Sequence, residues 1–499
     1  MDCTFLVNLV PCETSRDKYY CRNHQMRYFL ALSLLLSLAV AARPQANNEF
    51  IRVNSPVTAL THVRVIDGTG AAPAEDQTII IAEGKIRSIG PSGSAMIPDS
   101  AKVLDLTDYT VLPGLVGMHD HIFFPEGGTP PIYSSMAISF PRLYLALGVT
   151  TIRTAGSVTP YTDLEIKKLI DGGRMIGPKI HVTAPYLEGK GSFTPVMHEL
   201  TGADDARQMV NFWAGQGATS FKAYMNITRA ELRSAVEEAH KRGLKVTGHL
   251  CSIGYREAAE IGIDNLEHGL FANSEYVTDK KPDLCPSGVS ASLQKLDING
   301  PEVKETIRTL VAKNVAITST LPVFEASAPV TQDGIGAARA ILNPRMLNVM
   351  STDARVRFLS ARSRIPANST QAALIRKAMD FERLFVQSGG LLIAGLDPTG
   401  NGGVVAGFGD LREVELLVEA GFTPLEAIKI ASLNGAKFLG EDARIGSVSV
   451  GKQADLMVIK GNPARNINDI EKVEIVFKDG VGWDTEKLIQ SVQGLVGTR

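Results

Sequence analysis

Val111–His121 reads VLPGLVGMHDH, an apolar run that ends in two histidines one residue apart. In a β-strand, residues i and i+2 point to the same side, so His119 and His121 are expected to present both imidazoles together at a strand end. Two neutral imidazoles on one side can hold a divalent metal, with nitrogen–zinc distances of about 2.0–2.1 Å. A chance pair on a surface loop is the plainer reading. The apolar stretch Leu112-Pro113-Gly114-Leu115 just ahead of the pair argues for the metal.

Beyond this stretch the chain alternates between short apolar runs and amphipathic segments. Eight runs stand out: Thr110–Val116, Thr150–Arg153, Lys179–Thr183, Ser220–Tyr224, Lys245–His249, Asn265–Leu270, Val315–Thr320 and Leu391–Leu396. Helical stretches such as Arg229–Arg242 and Gln371–Gln387 lie between them. Eight strand–helix repeats predict an α/β fold closed as a (β/α)8 TIM barrel, with functional residues at the C-terminal ends of the strands. An open doubly wound sheet is the alternative, and no G-x-G-x-x-G or phosphate-binding loop follows the early strands to support it. The segment 325–368 is expected to loop over the mouth of the barrel as a lid or specificity element.

Both ends of the chain have a different texture. Val53–Val111 contains β-type runs (Leu60–Val65, Gln77–Ala82, Lys85–Ile89, Lys102–Leu106) parted by Gly68-Thr69-Gly70 and Glu83-Gly84, which suggests an antiparallel sheet. Similar runs return at Ala454–Lys460 and Lys472–Lys478. Residues 50–112 plus 440–499 are therefore expected to form one composite β-sandwich, with residues 113–439 as the barrel. At the N-terminus, Met26-Arg27 precedes the apolar run Tyr28–Val40 and the small residues Ala41-Ala42. That pattern reads as a secretory signal over 26–46, too short to span a bilayer comfortably. Met26 is then the expected start and 1–25, which holds three of the five cysteines, an unstructured extension. The expected location is periplasmic or extracellular, with no stable membrane insertion once the signal is cleaved. Cys251 and Cys285 remain, and sequence does not say whether they pair. A net charge of -2 without a long basic run gives no footing for nucleic acid or an acidic membrane surface. Whether the chain forms a homo-oligomer stays open.

Polar residues recur at the expected strand ends. Lys222 lies in the fourth run, His249 closes the fifth, His268 closes the sixth and Asp397 closes the eighth. Each alone has an ordinary explanation: a hydrogen-bonded histidine, a turn aspartate, a lysine paired with a carboxylate. Their common position at strand ends is what those explanations do not cover. The ordered set His119, His121, Lys222, His249, His268, Asp397 resembles the amidohydrolase superfamily, in its imidazolonepropionase-like and Xaa-Pro-dipeptidase-like branch. The resemblance extends through Thr423–Gly440 (TPLEAIKIASLNGAKFLG) and Gly446–Pro463 (GSVSVGKQADLMVIKGNP).

The resemblance implies two divalent metal ions, zinc first among several the donors suit. His119, His121 and Asp397 would hold one ion and His249 and His268 the other. Lys222, carboxylated by carbon dioxide, would bridge them as a carbamate; an unmodified lysine paired with an acid is the alternative. The implied chemistry is attack of a metal-bridging hydroxide on a small-molecule amide, such as a dipeptide, N-acyl amino acid or cyclic amide. Asp397 would act as base and then acid. Ester, lactone or phosphotriester hydrolysis on the same metals is the alternative, and a non-catalytic binding protein is a third reading. Tyr224, two residues from Lys222, could donate to a substrate oxygen or be a packed barrel tyrosine. His198, in the loop 186–201, is a candidate pocket histidine. Glu267 and Cys251 adjoin ligands but are expected to point away in structural roles. Gly117-Met118 and Asp120 depart from the family's usual residues around the pair and leave the substrate preference open, without removing a ligand.

Overall fold

The computed structural model describes residues 48–127, 130–329, 343–399 and 403–498. The expected extension (1–25) and signal (26–46) lie outside the described residues. Eight parallel strands run in the order of the chain: Leu115–Asp120, Val149–Thr154, the interrupted pair Lys179–His181 and Thr183–Leu187, Ser220–Ala223, Lys245–Gly248, Asn265–Glu267, Ala316–Ser319 and Leu392–Ala394. We number them as barrel strands one to eight. Helices such as Arg229–Lys241 and Gln371–Gln387 follow the strands and bury apolar faces against them. The former starts on a capping box, Thr228 with Glu231, as its sequence dictates.

Closure is made at the site end. The Asp397 N–H donates to the His119 carbonyl at 2.9 Å, joining the end of strand eight to strand one. Gly395 lets the two strands approach: a Cβ there would lie 2.4 Å from the His119 nitrogen. Strand one begins at Leu115, later than the sequence run suggested. Tyr109–Pro113 belongs to the other sheet, where Val111 pairs with Val458.

That other sheet interleaves the two ends of the chain. Its path is Ile51–Val53, Val481–Asp484, Val473–Lys478, Leu456–Lys460, Tyr109–Pro113, Val57–Val65, Ala74–Ala82 and Lys85–Pro91, with Lys102–Asp105 also on Val57–Val65. The strands form one connected nine-stranded mixed sheet, where the runs of Val53–Val111 suggest an antiparallel one. Val57–Val65 is the reason: it pairs antiparallel with Ala74–Ala82 but parallel with both Lys102–Asp105 and Tyr109–Pro113. Leu60, Ile79, Leu456 and Phe477 are buried in its own core. Sheet and barrel share one compact unit, Phe50–Arg499.

In the segment 325–368, of which 330–342 lie outside the described residues, helices stand in part of the expected loop. It carries helices Pro344–Val349 and Thr352–Ser363, the second capped by Ser351 on the Ala354 N–H. It packs on the C-terminal residues: the Ser351 N–H donates to the Val496 carbonyl at 2.7 Å. A long Ala- and Arg-rich stretch reads as a loop when its apolar periodicity is weak, yet caps and tertiary packing make 344–349 and 352–363 helical. Among the described residues no helix is long and apolar enough to cross a membrane.

Candidate metal centre

Strand one delivers the first two candidates. Its register against strand two shifts between Gly117 and Asp120, a bulge just ahead of the site. His119 and His121 are both buried, and their Nε2 atoms lie 3.7 and 3.5 Å from Asp397 Oδ1. One donor atom from each of these three residues falls within 4.8 Å of the others, which makes them a candidate metal site. Asp120 between them is buried too; burial and the neighbouring Asp410 push its carboxyl well above the usual range.

The remaining nitrogens are tied from behind. His119 Nδ1 lies 2.8 Å from Glu267 Oε2, and His121 Nδ1 lies 3.2 Å from the Gly156 carbonyl. The Tyr144 hydroxyl donates to the His121 carbonyl at 3.0 Å. His268 Nδ1 is 2.8 Å from Thr320 Oγ1. Bonds of this kind fix ring orientation and leave the other nitrogen free for a ligand. The rings form a continuous group: His268 lies 4.5 Å from His119 and 4.4 Å from His249, centroid to centroid. Burial, then the Lys222 ammonium, lowers His119 to about 4 and His249 to about 3, so both are neutral at pH 7. Neutral imidazoles beside a carboxylate are the donor set a divalent cation takes, and the residues fit that group. Burial pushes the Asp397 carboxyl up, but His119, His121 and His268 together hold it well below the carboxylate range.

Lys222 is buried beneath this group, 3.9 Å from Glu267 Oε1. Burial lowers its ammonium to about 8. Glu267 is the correction to the sequence reading: it points into the barrel. Its carboxylate also takes a hydrogen bond from Arg153 Nη2 at 2.7 Å and one from the Thr247 hydroxyl. The cause is the backbone of His268, whose φ of +68° breaks the strand alternation so that Glu267 and His268 both turn inward. Arg153, whose Nε donates to the Met118 carbonyl at 2.7 Å, was missed as well. An arginine at the end of an apolar strand was the available signal.

Tyr224 sits edge-on to His249 at 5.1 Å, at the end of strand four. His198 is not brought to this group. It is about half exposed, and its Nε2 pairs with Asp205 at 2.9 Å in the first turn of helix Ala203–Gln216. Cys251, two residues past His249, is bonded to Cys285 and ties the loop after strand five to the segment after strand six.

Comparison with known proteins adds three findings. The model of the amidohydrolase family matches residues 110–481. A 59-residue stretch is 41% identical to the 5'-deoxyadenosine deaminase of Methanobrevibacter smithii, covering 12% of this chain and 14% of that protein. Two solved structures share the fold. One, described provisionally as a prolidase from Bifidobacterium longum, has TM-score 0.62 and 24% identity over 88% of this chain and 99% of its own. The other, a Xaa-Pro dipeptidase with bound methionine in its active site, has TM-score 0.63 and 20% identity over 86% of this chain and 100% of its own.

Proposed function

The chain belongs to the amidohydrolase family, and from that premise we propose that it is a binuclear metal-dependent hydrolase cleaving the carbon–nitrogen bond of a small amide. Dipeptides, N-acyl amino acids and cyclic amides are the substrate types. The observation that carries the reading is the meeting of His119, His121 and Asp397 at the C-terminal ends of strands one and eight. These three would hold one divalent ion, and His249 and His268 would hold a second. Bound divalent ions, zinc in the first instance, supply Lewis acidity toward a carbonyl and a water acidified to a pKa of roughly 7.

The protein's own groups do the rest. Asp397, ionised and about one-quarter open to solvent, accepts a proton from the attacking water and returns it to the leaving nitrogen. The Tyr224 hydroxyl stays protonated, because burial pushes it far up, and can donate to the carbonyl oxygen as charge develops. Lys222 carries a carbamate. Its buried amine, lowered to about 8, is readily neutral and adds to carbon dioxide, releasing one proton. The carbamate would supply an anionic oxygen donor in place of the buried ammonium, leaving Glu267 to Arg153. The protein is exported on this reading, supported by the Cys251–Cys285 disulfide, which suits an oxidising compartment.

Metal analysis of purified protein, with a panel of Xaa-Pro and other dipeptides, N-acyl amino acids and lactones, tests the proposal. Two equivalents of divalent metal with amide turnover are expected. A metal-free, inert preparation, or one that cleaves lactones alone, overturns it.

A further inference from the structure

We infer that the substrate carries an aromatic or bulky apolar group where it faces barrel strands one, three and four. This rests on the hydrolase reading above and names the substrate class for that site. On this side the histidines are backed by an aromatic wall. Phe123, opening the hairpin strand Phe123–Glu126, stacks on His121 at 4.3 Å, its plane within 24° of the imidazole. Tyr133, on the returning strand Ile132–Ser135, meets Phe123 edge-on at 5.4 Å. Tyr186, from strand three, meets Tyr224 at 4.7 Å, and Phe193 lies 6.3 Å from Tyr224. Met197 packs with Phe123 and Tyr186. Edge-to-face and tilted pairs at about 4.5–7 Å attract, so the wall is a cohesive surface.

Its burial is graded toward the site. Phe123, Tyr186 and Met197 are buried, Tyr133 and Tyr224 are partly open, and Phe193 is 41% exposed. The open members leave apolar area in water on the side of Tyr224, which meets His249. Chemistry on the wall narrows what can cover it. None of the six side chains carries a formal charge: two are phenyl rings, three are phenols and one is a thioether. A charged substrate side chain would lose hydration against phenyl, phenol and thioether surface there. An aromatic or branched apolar group gains contact area and still finds phenol donors at the edge. Tyr186, Phe193 and Met197 all come from the loop and strand end at 186–201, so this segment sets the preference.

The test uses matched N-acyl amino acids and dipeptides that differ in one side chain: phenylalanine, leucine, alanine, aspartate or lysine. For the metal-loaded enzyme, kcat/KM should be at least about tenfold higher for phenylalanine than for alanine, with aspartate and lysine lowest. In Tyr133→Ala and Phe193→Ala the phenylalanine-over-alanine ratio should fall by about tenfold, chiefly through KM. Calorimetric binding of the same compounds to Asp397→Asn reads the order without turnover. Equal efficiencies across the series, or preference for a charged side chain, overturns the inference while leaving amide hydrolysis standing. Turnover of lactones with no amide cleaved overturns the functional reading instead.

Discussion

At Asp397 the backbone adopts φ = +53°, a left-handed conformation that a residue with a Cβ enters at a cost of about 1–2 kcal/mol. His268 does the same at +68°. Two candidate ligands in this region mark where the fold gives up local comfort to aim side chains. Asp397→Asn keeps the shape and a weaker ligand oxygen but removes the proton acceptor. Turnover should fall by about a thousandfold or more with most metal retained, checked by kinetics beside metal analysis. Glu267 tests a different kind of role. Its carboxylate faces Arg153, Lys222 and His119 in a fully buried setting. Glu267→Gln leaves the buried Arg153 guanidinium without its carboxylate partner, so unfolding in urea should show a loss of about 3–5 kcal/mol. His119 would also lose its orienting acceptor, and metal affinity should drop by about 10- to 100-fold.

Elements place these residues, and their stability carries its own pH signature. The helix Pro160–Asp171 begins just after Gly156, the carbonyl that meets His121. In its first turn Asp163 is buried and accepts from Ser157 Oγ at 2.6 Å. Burial pushes its carboxyl up to about 7. The folded protein therefore keeps a proton that the unfolded chain releases near about 4. Stability from this group is full below that value and is lost as pH rises through about 7. Asp163→Asn should gain on the wild type by about 2 kcal/mol between pH 5 and pH 8, measured by urea unfolding at both. Much of this level was legible in the sequence. The runs at 220–224 and 245–249 and the helix Gln371–Gln387 match the observed elements closely, because apolar periodicity and caps act locally. Glu267 was not legible. Alternation along Asn265–Glu267 predicts the face of each residue until a left-handed residue resets it, and nothing in LEHG announces that reset.

For the whole molecule, the disulfide and the mixed sheet join parts distant in sequence. Cys251–Cys285 closes a loop of sequence separation 34 that contains His268. The double variant Cys251→Ser/Cys285→Ser should be less stable by about 2–4 kcal/mol. Reducing agent should lower the wild type toward the variant and leave the variant unmoved, read by urea unfolding with and without reductant. By itself the sequence determined the strand–helix alternation, the ordered ligand candidates and the family they resemble, since strand period and residue chemistry are written locally. Tertiary structure alone decided that strand eight hydrogen-bonds strand one and brings Asp397 to His119 and His121. It also decided that the chain ends share one mixed sheet, that Glu267 turns inward, and that His198 pairs with Asp205. These depend on contacts between residues up to hundreds of positions apart, where packing and burial, not local pattern, set which arrangement has the lowest free energy.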